Sequence, residues 1–113
     1  MNTRLTYLYR DADNYKKLNT IIIAGEMSEE QQQTIMSCLM DGEHFIPSVV
    51  GLPEERFGSW TEADHVWFEL EAGFVTLTES NAQLKITTRE LVDRFLAATG
   101  NWEKLYGQSR YIG

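Results

Sequence analysis

Cysteine, proline, histidine and, over a long middle stretch, basic side chains are all scarce in this chain. Of its 113 residues one is cysteine (Cys38), two are proline (Pro47 and Pro53) and two are histidine (His44 and His65). Residues 26–71 hold a single base, Arg56. A lone cysteine excludes an internal disulfide. Small exported domains usually carry an even set, so a reducing, cytoplasmic setting is expected. No cationic stretch followed by an apolar run opens the chain. Its longest aliphatic run, Ile21, Ile22, Ile23 and Ala24, falls far short of the roughly 20 apolar residues that span a bilayer. Neither export nor membrane insertion is expected.

The shortage of bases has functional content. Residues 26–71 carry eleven acids (Glu26, Glu29, Glu30, Asp41, Glu43, Glu54, Glu55, Glu62, Asp64, Glu69 and Glu71) against Arg56, a net charge of −10 in a chain whose total is −7. The flanking stretches are slightly basic. A field of this sign repels a phosphate backbone and attracts basic surfaces, so direct nucleic-acid binding through the middle segment is not expected. The alternative is a solvated face that keeps a small protein in solution.

Catalytic and metal-binding signatures are missing too. There is no G-x-S-x-G elbow, no phosphate-cradling glycine loop and no dinucleotide fingerprint. Asp11 and Asp13 have the spacing that starts a calcium loop, but Lys16 occupies the glycine position and Ile22 replaces the terminal glutamate. His44 and His65 adjoin Glu43 and Asp64, yet their spacing matches no recognised ligand pattern, so neither a metal nor another cofactor is expected. Cys38 falls beside the apolar stripe of a predicted helix, where a thiol is usually inert.

What remains is an ordinary globular composition, 42% hydrophobic and 24% charged, enough for one core. Residues 4–9 alternate as a strand, and residues 18–24, aliphatic on both faces, read as a central one. Ser28 and Gln31 form a capping box ahead of a helix over 28–41, with Ile35, Met36, Leu39 and Met40 as its stripe and Gly42 as its stop. Residues 43–64 read as a long irregular connection with a short turn of helix. Residues 65–70, 74–77 and 84–86 are further strands, the last two pairing around Glu79, Ser80 and Asn81. Thr87 and Glu90 repeat the capping-box spacing, Ile86 and Leu91 form a hydrophobic staple, and a helix runs over 88–99 to Gly100. The tail, with Trp102, Leu105, Tyr106, Tyr111 and Ile112, is aromatic enough to pack back. The expectation is a single α+β domain over residues 1–113: an antiparallel sheet with two helices on one face, a ββα unit used twice.

The densest group of chemistry-bearing residues is F-I-P-S-V-V-G-L-P-E-E-R-F-G-S-W-T-E-A-D-H-V-W-F-E-L, residues 45–70. With Y-L-Y-R-D-A-D-N-Y-K near the start and G-N-W after the last predicted helix, it resembles a family of short uncharacterised bacterial proteins. The resemblance implies a bacterial cytoplasmic protein, but neither an activity nor a catalytic residue.

Interfaces favour Trp, Tyr and Arg because large, rigid groups lose little entropy when buried. The stretch is therefore read as a partner-binding loop of Glu54, Glu55, Arg56, Phe57, Trp60, Glu62, Asp64 and Trp67; alternatively, the aromatics only cap the sheet. The leading functional reading is a non-enzymatic interaction module, an accessory or inhibitor protein for a partner with a basic surface. Two alternatives stand beside it. One is a small enzyme or ligand binder with a site under residues 43–64, where Arg56, His65 and Glu69 would be tested first. The other is a homodimeric structural module pairing through an exposed strand edge.

Overall fold

A computed structural model of the chain describes residues 1–11, 13–55 and 66–112. Its first two strands, β1 (Asn2–Arg10) and β2 (Lys16–Ile23), form an antiparallel hairpin with Leu5 opposite Ile21 and Leu8 opposite Leu18. Thr3, Leu5, Tyr7 and Tyr9 are buried while the alternate residues are only partly covered, so the sheet buries one face.

The mixed α+β class stands: the sheet has five antiparallel strands. The middle strand, however, is β1. On one side it pairs with β2; on the other it pairs with both β4 (Phe68–Glu69) and β5 (Val75–Thr78), and β4 pairs in turn with β3 (His44–Phe45). Against expectation β2 is an edge, and Leu18 is 68% exposed. Its aliphatic end is covered another way. Gln83 brackets Ile22, its side-chain oxygen accepting from the Ile22 amide while its own N–H donates to the Ile22 carbonyl. The Ala24 amide donates to Ile86.

The expected pairing of residues 74–77 with 84–86 is therefore wrong. β5 spends its hydrogen bonds on β1, and residues 84–86 form no strand but run past the end of β2 to a single parallel bridge between Ala24 and Thr87. The strand expected over 65–70 is reduced to β4.

Helix α1 (Glu29–Ser37) begins at the full Ser28–Gln31 capping box. It stops short of residue 41 because Asp41 and Gly42, at φ +53° and +73°, form a tight turn instead. The amides of Met40 and His44 donate to each other's carbonyls across it. Asp-Gly suits such a turn, which needs positive φ at both central positions. Gly42 thus reverses the chain rather than capping a helix, and Cys38, buried, is the C-cap. A 3₁₀ turn (Pro47–Val50) follows β3.

Helix α2 (Thr88–Ala98) is capped by the Thr87 hydroxyl, which accepts from the Glu90 amide. Helix α3 (Trp102–Ile112) extends the tail that was expected to pack back. Leu5 and Tyr7 of β1 meet Ile35 of α1 and Leu91 and Phe95 of α2 along one apolar seam, which puts α1 and α2 on the same face of the sheet.

Candidate functional site

The expected loop site has two anchors within the described residues. Asn19, 3% exposed on β2, holds Glu55 as a strand partner would: its side-chain oxygen accepts from the Glu55 amide at 2.7 Å and its NH₂ donates to the Glu55 carbonyl at 3.0 Å. The Tyr7 hydroxyl donates to the Pro53 carbonyl at 2.5 Å. Burial, reinforced by the negative charges of Glu54 and Glu55, holds the Tyr7 phenol protonated well above its ordinary range. Glu54, half-buried, accepts from the Ser48 amide at 3.0 Å at the start of the 3₁₀ turn. Glu55 is exposed. Arg56, Phe57, Trp60, Glu62, Asp64 and His65 lie outside the described residues.

Trp67 lies elsewhere, in a cleft built from four parts of the chain. Pairing of Phe45 with Phe68 sends both rings into the core, so their neighbours His44 and Trp67 stand toward the outer side of that strand pair. Met40 and Asp41 reach the same place from the turn after α1, and Glu103 from the first turn of α3. These five side chains line an open cleft of about 360 Å³, with Met40, His44 and Trp67 half-buried and both carboxylates exposed.

Two further concavities flank the segment between β4 and β5. Four residues of β1 (Leu5 to Leu8) face seven of that segment (Glu69 to Val75), so residues 70–74 bulge, with Gly73 at φ +85°. On one side lies a pocket of about 140 Å³ bordered by Thr6, Leu8, Leu18 and Glu69. Its carboxylate is engaged, because Arg10 donates to Glu69 at 2.8 Å, a bond that with the charges of Glu69 and Glu71 raises the guanidinium's proton affinity. Glu69, one of the three residues of the enzyme reading, is thus an ion-pair partner. The second concavity, about 360 Å³, lies between α1 and the bulge and is lined by Glu29, Gln32, Gln33 and Met36.

Among the described residues no three His, Cys, Asp or Glu side chains are grouped closely enough to hold a metal ion, and no helix is long and apolar enough to cross a membrane. Of the cleft residues, sequence reading had singled out Trp67 as partner-binding and His44 only as a weighed metal ligand. The Asp41-Gly42 dipeptide was the available sign that a turn, not a helix end, would present Met40 and Asp41. Glu103 had no such sign, since its place depends on how α3 docks. No protein-family model matches the chain, and no curated protein or solved structure is significantly similar to it, so the motif resemblance brings no assignment.

Proposed function

We propose that this protein is a non-enzymatic interaction module whose acidic surface and Trp67 cleft engage a partner protein with a basic surface. The observation that carries the reading is the make-up of the cleft: an indole, a thioether and two exposed carboxylates at one junction, in a chain whose excess negative charge lies between residues 26 and 71. Exposed acids at Glu43 and Glu55 extend the negative field. Such a field speeds encounter with a basic surface, whereas an aromatic anchor governs how long the complex lasts.

The test is affinity capture from the native host, followed by association kinetics over a salt series. Association should slow as salt rises, because the long-range attraction is screened over about 8 Å at physiological ionic strength. Glu43→Gln with Glu55→Gln should mainly lower the on-rate. Trp67→Ala should raise the off-rate about tenfold or more, the scale of a buried aromatic anchor. Salt-independent association, indifferent to the glutamine changes, would contradict the reading. If no partner is captured and the charge-neutralised protein simply precipitates, the acidity serves solubility alone.

A further inference from the structure

We propose that the cleft is an arginine pocket: it takes one guanidinium group from the partner, laid against the Trp67 ring and bonded by the Asp41 and Glu103 carboxylates. This rests on the interaction reading above and specifies the chemistry of its central contact.

Size is the first argument. At about 360 Å³ the cleft falls within the roughly 300–1,000 Å³ typical of ligand sites and has ample room for one long side chain. Charge is the second. Two of its five described lining residues are carboxylates and none is Lys or Arg, so a cation is favoured and an anion opposed.

The spread of the acceptors then selects among cations. Asp41 comes from a turn and Glu103 from a helix, and with His44 they do not form a group tight enough for a bare metal ion. An ammonium is a compact, strongly hydrated point charge. A guanidinium is planar, more weakly hydrated and carries five N–H donors in a fixed fork, so it can reach acceptors on different walls while its face lies on an indole. Met40, half-buried at the edge, offers an adaptable apolar surface for the methylene stem.

The direct test titrates the unmodified protein with N-acetyl-arginine amide while following the Trp67 indole, His44 ring and Met40 methyl signals by NMR. Binding should be saturable, with a Kd on the order of millimolar for so small a probe, and the shifts should centre on those three residues. The lysine analogue should bind about fivefold more weakly, and the citrulline analogue, isosteric but uncharged, about tenfold more weakly. Asp41→Asn combined with Glu103→Gln should weaken the arginine probe about tenfold. Shifts scattered over the acidic surface, a citrulline probe as strong as arginine, or a lysine probe at least as strong would each overturn the proposal. A captured partner whose salt-dependent binding survives the cleft substitutions would overturn the pocket while leaving the interaction reading standing.

Discussion

Trp102→Ala is expected to remove about 3–5 kcal/mol of stability, the range for deleting a large buried aromatic. Such a loss takes away much of the roughly 5–15 kcal/mol that holds an ordinary domain folded. Trp102 is 1% exposed, and its ring meets Phe45 and Phe95 edge-on at centroid separations of 6.4 and 5.6 Å. Phe45 in turn lies 5.5 Å from Tyr7, so one aromatic chain ties the central strand to the last helix. The indole N–H also donates to the Cys38 carbonyl at 3.1 Å, fixing α3 to the end of α1. Trp102→Phe retains most of the apolar bulk but leaves that buried carbonyl without its donor, and should cost about 1–3 kcal/mol. Urea denaturation of the three proteins checks both values. Equal stability of wild type and Trp102→Ala would mean that α3 is not part of the core.

The second large effect is expected at Thr3, which is fully buried. Its hydroxyl donates to the Gly25 carbonyl at 2.6 Å and accepts from the Met27 amide at 2.9 Å, joining β1 to the turn that launches α1. Valine has nearly the same shape and no hydroxyl, so Thr3→Val isolates the polar contribution. Both backbone groups lose a partner, and the Met27 amide lies where water cannot readily replace it, so a loss of about 2–3 kcal/mol follows. Thr3→Ser, which keeps the hydroxyl and drops a methyl, should cost less than Thr3→Val. The same denaturation experiment ranks them, and the reverse order would assign the role of Thr3 to apolar packing.

Local features of this fold were legible because their causes are local. The Ser28–Gln31 box needs only four residues in sequence to satisfy two amides, and Thr87 makes the first half of that pattern, its hydroxyl accepting from the Glu90 amide. Alternation along β1 likewise records a sheet with one buried face. Nothing comparable marks which strand lies in the middle. Ile21, Ile22 and Ile23 look like a central strand whether they are flanked by another strand or bracketed by Gln83, and only the tertiary structure separates the two. The partner of β5 was misread for a related reason: Glu79, Ser80 and Asn81 have hairpin composition, yet a free edge of β1 was available to β5. The cleft was the least legible of all. Trp67 could be picked out by type, but its company of Asp41, His44 and Glu103 depends on a two-residue strand pair and on the docking of Trp102, contacts between positions distant in sequence.

The most direct test of the interaction reading is backbone hydrogen exchange on the complex with the captured partner, compared with the free protein. Exchange should slow around the cleft, in residues 40–45, 66–68 and 103–106, with residues 16–20 on the outer edge of β2 unchanged. Slowing confined to residues 16–20, the cleft segments exchanging as in the free chain, would put the contact on the sheet edge and contradict a partner seated at the cleft.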